Sequence, residues 1–183
     1  RPDGPDDWLI VAGDVSHDAE HIVGFLALMR ERFARVLWVP GNHDLWSRSE
    51  DPLRGEDRYF DLVERLRARD VTTPEDAYPL WDDIAVAPLF VLYDYSLRPV
   101  GLSKQQAFAK AAAARVICND EALLSPTPYT SREDWCTARL DYTRGRLDAL
   151  PDATRTLLIS HWPLHPAPVA RLRHPEFSLW CGT

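Results

Sequence analysis

Two short apolar runs near the start of the chain have the length and composition of buried β-strands. They occupy residues 8–12 and 36–40, and each is apolar throughout or nearly so. Between them, residues 19–33 carry apolar side chains at helical spacing, at Ile22, Phe25, Leu26, Met29 and Phe33. Strands without alternation are typical of parallel sheets that are buried on both faces. The first 40 residues therefore predict a βαβ unit whose two strands end at the same edge of a sheet.

Helical and strand-like patterns continue to alternate along the rest of the chain. Helices are predicted over residues 56–69 and 131–150, the second beginning at a capping-box-like Ser131 and ending before Pro151. Short strands are predicted over residues 71–73, 84–87 and 156–160. The alternation predicts a layered α/β protein.

The pattern is weaker between residues 93 and 130. This stretch contains an alanine-rich helical segment at 104–116 and a proline-bounded loop at 125–128. We interpret it as a cap or insertion over the site. Near the end of the chain, residues 177–180 are strand-like. We predict that residues 1–183 form a single domain that carries this cap.

Composition excludes several classes of protein. The chain has 183 residues and is 45% apolar, and none of its apolar runs is long enough to cross a membrane. A formal charge of −7 argues against broad binding to nucleic acid. Its three cysteines form no CxxC motif and no disulfide framework, which favours the reducing cytoplasm. No motif indicates an oligomeric state.

Polar residues that can bind metals follow three of the predicted strands. Gly13-Asp14 follows the first strand, Gly41-Asn42-His43-Asp44 follows the second, and His161 follows the last. Gly-Asp after a strand is common in turns, and a histidine there can simply cap the strand. Clustering Asn, His and Asp is costly unless a charged group organises them, so the tetrapeptide is the stronger signal.

The order of these motifs resembles the calcineurin-like metallophosphoesterase superfamily, over nearly the whole chain. The resemblance implies a four-layer αββα sandwich of two mixed sheets flanked by helices. It also implies two metal ions side by side, with Asp14 bridging them and Asn42 and His161 binding the second ion. A carboxylate can bridge two cations, and neutral amide and imidazole ligands leave the ion charge to hold a phosphate oxygen. Such oxygen and nitrogen ligands admit manganese, iron, zinc or nickel.

The resemblance further implies a mechanism. A hydroxide held between the metals would attack phosphorus in line. His43 would then protonate the leaving oxygen, while Asp44 holds or electrostatically supports its imidazole. Arg48 and His165 are candidate substrate contacts, because both follow closely after metal-binding motifs and an arginine can clamp a phosphate.

Two motifs of the superfamily are missing. No Asp-x-His precedes Asp14, and no Gly-His-x-His follows His161, although these supply most ligands of the first metal. Three explanations compete: the sequence omits terminal segments of a longer enzyme, the protein binds one ion only, or it is a degenerate relative that binds without catalysing. We favour the first explanation, because the chain begins with Arg1 instead of Met and ends directly after a strand-like segment.

The sequence analysis therefore predicts a metal-dependent phosphoesterase, and a small-molecule phosphomonoester is the favoured substrate because an acidic chain is poorly suited to long nucleic acids. Two alternatives stay open. One is a phosphodiesterase that acts on a cyclic or dinucleotide substrate, and the other is a degenerate, non-catalytic relative that serves as a binding domain.

Overall fold

The predicted βαβ unit opens the fold. A computed structural model describes residues 6–182. In it, β1 (Trp8–Val11) and β2 (Arg35–Trp38) pair in parallel, from Trp8 opposite Arg35 to Val11 opposite Trp38. Helix α1 (Ala19–Arg30) connects them, and the Asp18 side chain accepts a hydrogen bond from the His21 N–H at its first turn. The crossover thus brings both strand ends to one edge, as the sequence predicts.

A second sheet contains three strands. Its order is β3 (Leu80–Trp81), β4 (Ile84–Pro88) and β5 (Arg155–Ile159). Strand β4 lies in the middle, antiparallel to β3 and parallel to β5. This sheet is mixed, as the family resemblance implies, whereas the two described strands of the first sheet are only parallel.

The two sheets pack face to face through a small apolar cluster. Leu37 and Val39 of the β2 segment meet Val86 of β4 and Ile159 of β5, all of them buried. On the opposite face of β2, Trp38 belongs to the main core with the buried faces of the helices. Because successive residues of a strand point to opposite faces, the continuous apolar run of β2 is explained by burial on both sides.

The remaining helices surround these sheets. Ser131 caps the longest of them, and its hydroxyl accepts a hydrogen bond from the Asp134 N–H at 3.0 Å, as the sequence predicts. The helix that Ser131 caps is α6 (Arg132–Asp148). The others after α1, in chain order, are α2 (Asn42–Leu45), α3 (Gly55–Arg67), α4 (Lys104–Ala113), α5 (Asp120–Leu123), α7 (Pro166–Val169) and a 3-10 helix at Pro175–Trp180.

Two of the predicted strands are wrong. Residues 177–180 belong to the 3-10 helix, since Pro175 favours a helical first turn and the Phe177 N–H bonds to the His174 carbonyl. Residues 71–73 contribute one bridge, between Leu37 and Thr72, because the next N–H, that of Thr73, donates to a nearby carboxylate.

Among the helices of residues 6–182, none is both long enough and apolar enough to cross a bilayer. The cytoplasmic location stays a prediction.

Candidate metal and catalytic site

Two glycines let the loops after β1 and β2 touch each other. A Cβ atom on Gly13, whose φ is +86°, would lie 2.5 Å from the Gly41 nitrogen. One on Gly41 would lie 2.1 Å from the Asp14 Oδ1 atom. Both distances are shorter than real contacts, so a side chain at either position would push the loops apart. The glycines of the two motifs therefore allow Asp14 and Asn42 to approach one another.

A buried carboxylate locks the two loops together. Asp44 is fully buried on the one-turn helix α2, and its oxygens accept hydrogen bonds from the Gly41 N–H and the Trp38 indole N–H. They also accept three backbone N–H groups of the first loop, those of residues 14, 15 and 16, at 2.8 to 3.2 Å. Burial raises the pKa of Asp44, while the backbone donors oppose that shift.

This position differs from the role that the sequence suggested for Asp44. Within residues 6–182, the Asp44 carboxylate accepts hydrogen bonds from the loops and from Trp38, and none from the His43 imidazole. The expectation that Asp44 holds the His43 ring is therefore corrected. The carboxylate is drawn to the loops because several backbone N–H groups there need an acceptor.

His161 lies just after β5 and faces the same loops. Its Nδ1 atom is 2.8 Å from the Ala12 carbonyl oxygen, which can only accept, so Nδ1 carries the hydrogen. In the neutral ring, Nε2 is then an unprotonated acceptor. It lies 3.1 Å from the Asn42 Oδ1 atom and 3.6 Å from the Asp14 Oδ1 atom.

The orientation of the Asn42 amide is fixed by the same reasoning. Its Nδ2 group donates to a carboxylate oxygen of Asp120 at 2.8 Å, and a carboxylate can only accept. The carbonyl oxygen of Asn42 must therefore face His161. Oxygen atoms of Asp14 and Asn42 thus lie within 3.6 Å of the His161 Nε2 atom. Atoms placed in this way either share a proton on the imidazole or bind a cation, and their chemistry fits a metal.

These three donors make up a partial ligand set. Among the described residues, 6–182, no group of three or more His, Cys, Asp or Glu side chains could hold a metal ion. Asp14 and His161 are two such residues, and the third donor, Asn42, is an amide. The structure therefore brings the three predicted ligands together, and their role in binding a metal stays a prediction.

Asp120 is a site residue that the sequence analysis missed. It begins helix α5 inside the predicted cap, is 2% exposed, and accepts hydrogen bonds from three side chains. These are the Asn42 amide, the Trp46 indole at 2.6 Å and the Tyr93 hydroxyl at 3.0 Å. No short motif surrounds Asp120, so its role becomes visible only when the cap is placed against the loops.

His43 packs against an aromatic ring next to the metal donors. Its imidazole stacks on Trp46, with ring centroids 3.6 Å apart and an interplanar angle of 27°. Its backbone N–H donates to the Asp14 Oδ1 atom at 3.1 Å. The ring is half-buried and lines the cleft beside Asn42. An imidazole placed there can exchange a proton with a group bound in the cleft.

A cleft of about 370 Å³ contains Asn42, His43 and His161 in its wall. Exposed apolar side chains line other parts of it, including Ile117 from the cap and Phe177 from the 3-10 helix. It thus joins a polar region, which can meet a phosphate, to an apolar one.

Two cysteines also line this cleft. Burial, with the nearby charge of Asp120, raises the pKa of Cys118 to about 12. Burial raises the pKa of Cys181 to about 11. Both side chains are therefore protonated thiols at neutral pH, and neither has the properties of a cysteine nucleophile.

The two candidate substrate contacts lie in different places. Arg48 is exposed and lines a neighbouring cleft of about 240 Å³ together with His17 and Trp46. His165 accepts a hydrogen bond from the Ala167 N–H and caps α7, and it is not among the residues that line the cleft of Asn42 and His161. Of the two residues, Arg48 lies beside the candidate site, because Trp46 lines both the cleft of Arg48 and the cleft of Asn42 and His161.

Both the sequence and the fold of this chain are similar to those of known proteins. The sequence model for calcineurin-like phosphoesterases matches residues 1–165. The [acyl-carrier-protein] phosphodiesterase PptH of Mycobacterium tuberculosis is 47% identical over 189 residues, which cover 100% of this chain and 58% of the relative. A crystal structure of phosphopantetheinyl hydrolase PptH from the same organism superimposes with a TM-score of 0.94 and 46% identity, over 100% of this chain and 67% of the other. The chain thus spans 58% of the length of that curated relative.

Proposed function

The chain belongs to the calcineurin-like phosphoesterase family, and from this premise we propose that it hydrolyses the phosphodiester that joins a phosphopantetheinyl group to a carrier protein. The name of the 47% identical relative supports this reaction. From the sequence, a small-molecule phosphomonoester was the favoured substrate, and the names of these relatives do not support it. The phosphodiesterase alternative agrees with the reaction in the name of the curated relative, although neither name refers to a cyclic or dinucleotide substrate.

One observation carries the proposal. The Asp14 carboxylate, the Asn42 carbonyl oxygen and the His161 Nε2 atom face one another, and independent hydrogen bonds fix the orientation of two of them. Ligand atoms that are held in place before the metal arrives lose little entropy on binding it. We therefore assign these three residues to one metal ion, with Asp14 as the ligand able to bridge to a second.

Metal ions bound there would neutralise the phosphate charge and lower the pKa of a coordinated water. The oxygen and nitrogen donors are compatible with manganese, iron, zinc or nickel. The remaining steps depend on this chain's own side chains. Asp14, Asn42 and His161 would hold the metal, and the apolar wall of the cleft reduces the access of water to one side.

His43 is the proposed proton donor to the leaving oxygen. An alkoxide is a poor leaving group, so the reaction gains most from an acid that is placed beside the departing oxygen. His43 lines the same cleft as Asn42 and His161, and its ring is held flat against Trp46. Asp44 contributes by fixing the two loops that carry Asp14 and His43, and does not touch the imidazole.

The cleft supports a substrate with a long, largely uncharged arm. Ile117, Leu172 and Phe177 lie along it and are all partly exposed, so they offer apolar contacts without closing it. A phosphopantetheinyl arm has this character, and a carrier protein would stay outside. A compact phosphomonoester would leave these apolar side chains without a contact.

The experiment uses the whole protein with manganese and a phosphopantetheinyl carrier protein. Mass spectrometry follows the conversion of the carrier to its unmodified form. We expect this product to form, and Asp14→Asn to abolish it. Simple aryl phosphate mono- and diesters serve as references. Faster hydrolysis of the monoester than of the diester, with the carrier left intact, would overturn the proposal.

Metal content separates the enzyme from a degenerate relative that only binds. Metal analysis of the purified whole protein should give two equivalents, and one fewer or none in Asp14→Asn. A protein without bound metal and without hydrolysis of any ester would support the non-catalytic alternative.

A further inference from the structure

We infer that Asp120 is a positioning residue that holds the metal donor Asn42 and, through Trp46, the acid His43 in one fixed arrangement. The metal half of this inference depends on the ligand geometry alone. The half that concerns His43 rests on the proposed function.

The contact with Asn42 decides which end of the amide faces the metal position. Without an acceptor at Nδ2, the amide could rotate and present its N–H groups to His161, and an N–H group cannot bind a cation. The Asp120 oxygen at 2.8 Å makes the productive orientation the favoured one. Partners of metal ligands act in this way in many sites, by holding the ligand and not by touching the metal.

The contact with Trp46 lets Asp120 also position His43, the proposed proton donor. The Asp120 Oδ1 atom that accepts from Asn42 also accepts from the Trp46 indole, at 2.6 Å. Trp46 in turn stacks on His43. A single oxygen therefore fixes the plane on which the imidazole rests and the amide that binds the metal.

The carboxylate is well suited to this task. Asp120 is 2% exposed, and its second oxygen accepts from the Tyr93 hydroxyl at 3.0 Å. Burial and the charge of Asp120 raise the pKa of Tyr93, so that its hydroxyl keeps the hydrogen it donates. Three donors bonded to one buried charge leave it little freedom to move, because charge-assisted hydrogen bonds are short and strong.

Glu121, the next residue, provides a matched control. It is also a carboxylate with three side-chain partners, which are Tyr95, Arg132 and Trp180. None of these three is a proposed metal donor, and within residues 6–182 none of them stacks on the His43 ring. Loss of Glu121 therefore perturbs the cap to a similar extent without releasing Asn42.

Calorimetric titration of the metal-free whole protein with manganese tests the first half. Asp120→Ala should weaken manganese binding roughly 10- to 100-fold, and Asp120→Asn, which keeps one oxygen acceptor, should lie between it and the unmodified protein. Glu121→Ala should stay within about twofold of the unmodified protein. Equal affinities for Asp120→Ala and Glu121→Ala would overturn the inference.

Trp46→Phe tests the second half, and if Asp120→Ala does not fold, Asp120→Asn still tests the first. This change keeps a ring beneath His43 and removes the indole N–H. We expect manganese affinity to stay within about twofold, while kcat falls more for alkyl than for activated aryl diesters. An unchanged kcat for both overturns the link to His43. If the unmodified protein hydrolyses no ester, the proposed function fails, yet the manganese titration still decides the role of Asp120.

Discussion

Two buried carboxylates hold opposite sides of the candidate site, and they do so with different partners. Asp44 accepts four backbone N–H groups and one indole, all from the loops after β1 and β2 or the strand beside them. Within residues 6–182, the carboxylate of Asp120, in the cap, accepts from the side chains of Asn42, Trp46 and Tyr93 and from no backbone N–H group. The first carboxylate fixes the path of the chain, and the second fixes the orientation of individual side chains.

This difference sets how sensitive each region is to sequence. Every residue except proline has a backbone N–H group, so most hydrogen-bond donors to Asp44 are present whenever the two loops adopt this conformation. The partners of Asp120 exist only if the right residue stands at each of three distant positions. The loops should therefore respond to changes with loss of folding stability, and the cap with loss of metal binding at a smaller cost in stability.

The largest expected effect is that of Asp44→Asn. An amide offers one acceptor in place of two, and its N–H₂ group would face backbone donors. We expect the free energy of unfolding to fall by about 3 kcal/mol, measured by chemical denaturation. Asp70→Asn, at an exposed ion pair with Arg30, should cost less than about 0.5 kcal/mol. A smaller loss for Asp44→Asn than for Asp120→Asn would reverse the comparison.

Gly41→Ala should come next. Its Cβ atom would meet the Asp14 carboxylate at 2.1 Å and force the two loops apart. We expect a loss of about 2 kcal/mol in the free energy of unfolding, together with loss of manganese binding. Gly24→Ala is the control, since its Cβ atom in α1 would meet nothing within 4 Å. That change should stabilise the protein by up to about 1 kcal/mol.

Tyr93→Phe tests the cap at a smaller scale. The change removes one donor from Asp120 and leaves the other two, so we expect a loss of about 1 kcal/mol and a measurably weaker affinity for manganese. Tyr95→Phe removes a donor from Glu121 in the same cap. It should cost a similar amount of stability and leave manganese affinity unchanged. Identical affinities in the two variants would argue against a special role for the Asp120 side of the cap.

The smallest effect is expected at Arg48, which lies beside the site and is exposed. Arg48→Ala should change the free energy of unfolding by less than about 0.5 kcal/mol. If the guanidinium contacts the phosphate, KM for the carrier-protein substrate rises and kcat changes less. Arg69→Ala, at an exposed position at the end of the α3 segment, should change neither constant. An unchanged KM in Arg48→Ala would remove Arg48 from the site.

The parts of the fold that could be predicted are those with strong local signals. The continuous apolar runs predicted β1, β2 and β5, and the helical spacing predicted α1, α3 and α6 within a few residues at each end. The two-residue strand β3 was missed because it is too short to carry a pattern. The segment at 177–180 was wrong because its apolar residues pack as a helical turn, which a four-residue pattern cannot distinguish from a strand.

The sequence by itself determined that Asp14, Asn42 and His161 follow strand ends, and strand ends of parallel sheets share an edge. It also determined the family, because the glycine and amide positions of the two loops are local motifs. Only the tertiary structure decided which atoms of these residues face the proposed metal position. That choice depends on the Ala12 carbonyl and on Asp120, which lies 78 residues from Asn42. Hydrogen bonds between side chains so far apart exist only after the cap has packed on the loops, and no pattern of neighbouring residues encodes them.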